Sequence, residues 1–187
     1  VTRSVLEAVY HMRGLLIAPP YLFLCVVFWG ECEIDSIIWP AGLTVFLVGV
    51  GLRIWAQTHI HYRLRVRKVL TMTGPYAFIR NPIYLGNIFM MGGATILSEL
   101  VWFLPIMLVW CIGVYTVVVC REEMHLSEKY GEPYLLYLKT VPRWFPRLRR
   151  SVQTSRIPGW QCYVVPSLIA EAHCLLFLPP LIVKEWL

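Results

Sequence analysis

Five apolar runs, divided by polar and basic loops, constrain this chain more than any other feature. They cover residues 15–29, 37–56, 83–97, 100–119 and 160–183. A bilayer core is crossed by about 20 helical residues, because a helix satisfies its backbone N–H and C=O groups where no water is present. With 58% hydrophobic and 15% charged residues among 187, such runs exclude an ordinary water-soluble domain. The expected fold is all-α: a multi-pass transmembrane helical bundle of about five spans in one domain, 1–187. The runs at 15–29 and 83–97 are short for a crossing, and Pro19-Pro20 interrupts the first. Only Ser98-Glu99 separates the third run from the fourth, so these two pair as an antiparallel hairpin. The longest polar stretch, 121–159, is too small to hold a core of its own.

Charge fixes the expected orientation. Apart from Arg53 and Lys184, every Lys and Arg lies before the first span, between Arg63 and Arg80, or between Arg121 and Arg156. Five spans place those three segments on one face, and leave Glu31, Glu33, Asp35 and Glu99 on the other. Positively charged loops stay inside, so the N-terminus is expected in the cytoplasm and the C-terminus outside. Topology thus accounts for the pI of about 9.1 without a nucleic-acid partner. The bilayer is the expected partner, with Arg147, Arg149 and Arg150 near anionic headgroups, and no obligate protein partner is evident. No cleavable signal peptide is expected, since Pro19-Pro20 breaks the first run and no small-residue cleavage site follows.

The six cysteines have no paired spacing and read as small buried apolar residues, so no metal site is expected. His59 and His61 are two apart, face different sides of a helix, and read as interfacial residues. Gly49-x-Gly51 and Gly92-Gly93 read as close-packing positions between helices. Glu171 and His173, ionisable groups inside a span, either border a pocket or pair with Arg53.

The polar segment 73–86 carries the strongest local chemistry. Gly74-Pro75 forms a turn and Arg80-Asn81-Pro82 begins a helix. Asn81 suits the N-cap, where its side-chain oxygen accepts a free N–H, and Pro82 suits the first helical position. The open N–H groups and positive dipole end of such a helix attract an anion. Arg121-Glu122-Glu123 returns to the same face one hairpin later. Cationic and amide groups opposite carboxylates suit a zwitterionic ligand.

In order, Gly74-x-Tyr76, Arg80-x-Pro82-x-Tyr84-x-Gly86, an apolar hairpin, Glu122-Glu123 and Tyr130-Gly131-Glu132-Pro133-Tyr134 resemble the isoprenylcysteine carboxyl methyltransferase family. That family shares its core with phospholipid methyltransferases. The likeness covers 68–146, closing on Val141-Pro142 and Pro146. Residues 1–60 hold the N-terminal spans and 160–183 the C-terminal one, as in a small archaeal or bacterial integral membrane member. The resemblance implies binding of S-adenosyl-L-methionine, leaving S-adenosyl-L-homocysteine, in a cytoplasmic pocket, with a lipophilic small-molecule acceptor drawn from the bilayer.

By resemblance, Lys68, Val69, Leu70 and Thr71 line the adenosine pocket. Asn81 and the amides after Pro82 receive the cofactor carboxylate, helped by Arg80. Tyr76 and Tyr84 face the cofactor, and Glu122 holds its ammonium or ribose. The catalytic group stays open among Arg80, Arg121 and Glu123. Two departures from the family pattern bear on the chemistry. The family's Arg-His-Pro has Asn81 in the middle here, and asparagine cannot act as an acid or base near neutral pH. Where prenylcysteine enzymes carry an arginine one turn before the glutamates, this chain has Val118. An amine or phospholipid N-methyltransferase is the alternative on the same core; a non-catalytic membrane ligand binder or scaffold is the alternative of another class.

Overall fold

The computed structural model describes residues 3–32, 34–62, 70–146 and 163–186, with the side chains at 61 and 62 left out. Seven α-helices follow in order among them: α1 Arg3–Val26, α2 Asp35–Tyr62, α3 Pro82–Leu97, α4 Leu104–Tyr130, α5 Glu132–Thr140, α6 Val164–Glu171 and α7 Leu178–Glu185. No strand occurs among the described residues, and the protein is an all-α multi-pass bundle. Four helical segments are long and apolar enough to cross a membrane: Arg3–Val26, Asp35–Ile60, Val101–Tyr130 and Val164–Glu185. The shorter apolar helix α3 spans about 24 Å at 1.5 Å per residue. Large apolar side chains such as Leu22, Val109 and Ile169 stay exposed on the outside, as a lipid-facing surface requires.

Two spans differ from the sequence reading. The first helix begins at Arg3 and runs unbroken through Pro19 and Pro20. Polar residues in its first half hide it from a hydropathy count, and membrane helices tolerate proline where neighbours compensate. The last span divides into α6, a 3₁₀ segment Ala172–Phe177 and α7, so Pro179-Pro180 opens a new helix.

The α2–α3 pair forms the centre, and glycine is the reason. A Cβ on Gly49 would stand 2.6 Å from the Gly86 carbonyl, and one on Gly93 2.5 Å from the Phe46 nitrogen. Gly42 and Gly86 are equally tight, so two glycines per helix, seven residues apart, bring the backbones together. Gly49 and Gly93 thus pack as expected, whereas Gly51 meets nothing within 4 Å and Gly92 makes only ordinary contacts. Arg53 joins α2 to α6 through Glu171 at 2.7 Å, and also donates to Asn87 of α3. Cys25, Cys32, Cys111, Cys120 and Cys174 are free, and two of them, Cys111 and Cys174, are fully buried. Glu33, Arg147, Arg149, Arg150 and Cys162 lie outside the described residues.

Candidate functional site

The segment 73–81 folds back between α2 and α5. Gly74, at φ +60°, lies so close to His59 that a Cβ would meet the ring at 2.4 Å. His59 is buried within the protein at the end of α2, and its Nδ1 stands 3.1 Å from Thr73 Oγ1. The 3₁₀ turn Gly74–Ala77 follows, held by the Tyr137 hydroxyl donating to the Tyr76 carbonyl at 2.8 Å. The Arg80 amide donates to the Pro142 carbonyl at 2.9 Å, so the Val141-Pro142 step locks this segment onto α5.

That placement opens a cavity of about 260 Å³. Seven of the residues expected at a cofactor site line it: Leu70, Thr71, Tyr76, Asn81, Pro82, Tyr84 and Glu122. Lys68 and Val69 lie outside the described residues. Arg80 lines it too. Asn81 occupies the N-cap of α3, but its side chain makes no cap bond, contrary to the sequence expectation. Its side chain is instead at the cavity wall, which leaves the first amides of α3 without that cap.

Three buried donors have no hydrogen-bond partner among the described residues: Tyr76 Oη, Arg80 Nε and Asn81 Nδ2. All three belong to residues of this one cavity. Buried polar groups in folded proteins are nearly always paired, so three orphans in one place make this cavity the candidate site for a polar ligand. Burial also keeps the Tyr76 phenol protonated, well above its ordinary range. Across the cavity the Tyr84 hydroxyl donates to Glu122 Oε1 at 2.6 Å, tying the start of α3 to the end of α4.

The three candidates for catalysis separate. Arg80 reaches the cavity and also pairs with Glu123 at 2.9 Å. Glu123 lies buried behind it, gripped from the other side by Arg143. Arg121 points to α1, 3.3 Å from Glu7 and 4.1 Å above the Tyr10 ring.

Sequence reasoning missed Leu126, Tyr130, Tyr134 and Tyr137 in the wall. A signal existed for two of them: Glu122, Leu126 and Tyr130 recur every four residues and share one face of α4. A second cavity, about 420 Å³, includes Arg13, Arg53, Tyr115 and His173 among its walls. The rings of Tyr84 and Tyr115, one in each cavity's wall, are 5.2 Å apart. Glu171 pairs with Arg53, as one of the two sequence readings had it.

A sequence profile described as phospholipid methyltransferase matches residues 37–133, which hold α3, α4, nearly all of α2 and most of the first cavity. The chain belongs to the phospholipid methyltransferase family. Two curated bacterial relatives are similar to it. The nickel-cobalt-cadmium resistance protein NccN of Alcaligenes xylosoxydans xylosoxydans is 30% identical over 61% of this chain and 54% of its own length. The cobalt-zinc-cadmium resistance protein CzcN of Cupriavidus metallidurans is 27% identical over 84% of this chain and 76% of its own. The matched region therefore spans about half of the first relative. No solved structure matches the chain.

Proposed function

We propose that the chain is an S-adenosyl-L-methionine-dependent methyltransferase that modifies a lipophilic acceptor at the cytoplasmic membrane face. The observation that carries this reading is the convergence of three unpartnered donors on one cavity whose wall also holds Glu122. A ligand bearing both a carboxylate and an ammonium matches such a site. Asn81, Arg80 and the first amides of α3 would take the carboxylate. Glu122, fixed by Tyr84, would take the ammonium or the ribose hydroxyls. Leu70, Leu126 and Tyr130 supply an apolar and aromatic wall for an adenine.

Bound there, S-adenosyl-L-methionine would supply an electrophilic methyl group on a sulfonium. The protein's own contribution is then to align two reactants and exclude water, which can account for much of the barrier to a displacement. The second cavity, behind Tyr84 and Tyr115 and lined by Arg53 and His173, is the proposed acceptor chamber. Glu123 acts in this reading as the anchor of Arg80, not as a base. The acceptor is a lipophilic carboxylate, as in isoprenylcysteine enzymes, or a phospholipid amine, as the family description favours. An amine must lose a proton first, so its methylation rate rises with pH; an ionised carboxylate gives a flat profile near neutrality. The relatives' names give a setting in which to seek the acceptor: membranes of cells exposed to nickel, cobalt, zinc or cadmium.

The deciding experiment is calorimetric titration of the detergent-purified chain with S-adenosyl-L-homocysteine. Micromolar binding, about −8 kcal/mol, that Glu122→Ala weakens supports the reading. No binding by folded wild-type protein overturns it. Binding without transfer of labelled methyl to any membrane-lipid extract favours a ligand-binding protein instead.

A further inference from the structure

The face opposite the cofactor cavity holds a second cluster that methyl transfer does not use. The cavity sits at the N-terminal end of α3, and Glu99 follows its C-terminal end, about 24 Å away along the helix. There the turn between α3 and α4, the start of α2 and the end of α7 converge. Oxygens of Glu99, Asp35 and Glu185 all lie within 4.8 Å of one another. These residues are 64 and 86 positions apart from Glu99 in sequence, and no run of acids brings them together; the bundle does.

Neighbouring charges do not neutralise them. Lys184, itself buried, is committed elsewhere: its Nζ donates to Glu31 Oε1 at 2.6 Å and to the Ser98 carbonyl at 2.9 Å. No other cation pairs with the three carboxylates among the described residues. Glu99 is only 7% exposed, and its Oε1 has no hydrogen-bond partner there. A carboxylate oxygen buried without a donor, beside two more carboxylates, is a strongly unfavourable arrangement unless something positive completes it.

We propose that Asp35, Glu99 and Glu185 form a binding site for a hard divalent cation of the calcium, magnesium or manganese class. The donor set is all oxygen, with neither thiolate nor imidazole, which matches hard cations and not zinc or cadmium. Asp35 and Glu185 are exposed, so water completes the coordination and the ion enters from solvent. With few protein ligands the affinity falls in the weak range of about 10⁻⁴–10⁻³ M seen for extracellular calcium modules. The ion ties the last helix to the α3–α4 turn and to the start of α2, on the side away from the cofactor cavity. The proposal is independent of the methyl-transfer reading.

The test uses the full chain in detergent, stripped with a chelator and titrated with CaCl₂ and, separately, MnCl₂. Manganese binding is read from the loss of the free-ion paramagnetic resonance signal, and stability from the thermal midpoint. The expected result is one saturable site per chain and a midpoint that rises with cation. Glu99→Gln abolishes both effects, and the exposed Glu185→Gln weakens binding at least fivefold. Should Glu99→Gln not yield monodisperse protein, Glu185→Gln and Asp35→Asn carry the same comparison. Two results overturn the proposal: a midpoint indifferent to both cations with no saturable binding below 10⁻² M (about ten times the weak end of that range), or binding that the variants leave unchanged. The first means the three carboxyls share protons; the second puts the ion elsewhere.

Discussion

The Tyr84 hydroxyl donates to Glu122 at 2.6 Å, joining the first turn of α3 to the last turns of α4 across 38 residues of hairpin. The bond fixes the carboxylate at the cavity wall and removes one of its acceptor positions. It separates two roles for Glu122 that side-chain replacement can tell apart.

Glu122→Gln keeps a hydrogen-bond acceptor for Tyr84 and removes the charge. If the carboxylate meets a cationic or multiply donating ligand, S-adenosyl-L-homocysteine binding weakens by about 1.5–3 kcal/mol, or roughly 10–150-fold. Tyr84→Phe, which frees the carboxylate without discharging it, weakens binding less. Calorimetry on both variants orders the losses; the reverse order would assign the main contact to the phenol.

Glu123 carries a different prediction. Its carboxylate is buried between Arg80 and Arg143, and removing it strands two guanidinium groups. Glu123→Ala should lower stability by about 3–5 kcal/mol, the usual result of leaving a buried charge unpaired. Glu122→Ala should cost less stability but more ligand affinity. Thermal unfolding and calorimetry on the same preparations distinguish anchor from ligand contact.

Much of this was legible before the fold was known, for reasons that differ by residue. Asn81-Pro82 announced a helix start because proline and a polar cap residue have local causes, and α3 does begin at Pro82. The orientation of the Asn81 side chain was not legible, since one short amide can turn either its oxygen to the helix amides or its Nδ2 to the cavity, and the choice depends on tertiary surroundings. Glu122 could be singled out from its place at the end of an apolar hairpin. The pairing of Arg80 with Glu123 could not, because it depends on how far α4 slides against α3. The Asp35–Glu99–Glu185 cluster was visible only as acidic loops; its convergence is a tertiary fact. The start of α1 at Arg3 escaped because its first half is amphipathic and hydropathy counts only the apolar part.

The α2–α3 seam predicts a sharp contrast between glycines. Gly93→Leu adds atoms where even a Cβ would stand 2.5 Å from backbone, so the helices must separate. Overpacking of this kind typically costs about 1–3 kcal/mol, and a backbone clash lies at the upper end. Gly51→Ala, on the facing helix α2 but with nothing within 4 Å, should leave stability unchanged or slightly improved. Thermal midpoints in one detergent test the pair; equal losses would contradict the seam.

Alkaline pH should weaken the packing around the cavity. Burial raises the phenols of Tyr76, Tyr134 and Tyr137 above their ordinary value of 10.0. The folded chain therefore keeps protons that the unfolded chain releases above pH 10. Their contribution is intact below pH 10 and declines above it, by about 1.4 kcal/mol per pH unit for each phenol. Absorbance titration at the tyrosinate band should show these three ionising only as the protein unfolds. Tyrosines that titrate freely near pH 10 in folded protein would contradict their burial.

Arg53 and Glu171 offer the cleanest test of how the last span is held. Their pair, at 2.7 Å, is 14% and 2% exposed and connects the family core to α6, beyond the matched region. Arg53→Leu alone leaves a buried carboxylate, and Glu171→Leu alone leaves a buried guanidinium, each costing about 3–5 kcal/mol. The double variant removes both charges together, so its loss should be clearly smaller than the sum, with a coupling of about 0.5–3 kcal/mol. Additive losses would mean that Arg53 relies on Asn87 and that the last span docks through its other contacts, such as Lys184 with Glu31 and the Ser98 carbonyl. Because Arg53 also lines the second cavity, methyl transfer to a lipid acceptor should fall in the double variant even where stability recovers. S-adenosyl-L-homocysteine binding in the first cavity should persist. That division, binding kept and transfer lost, would place the acceptor behind Tyr84 and Tyr115 and not in the first cavity.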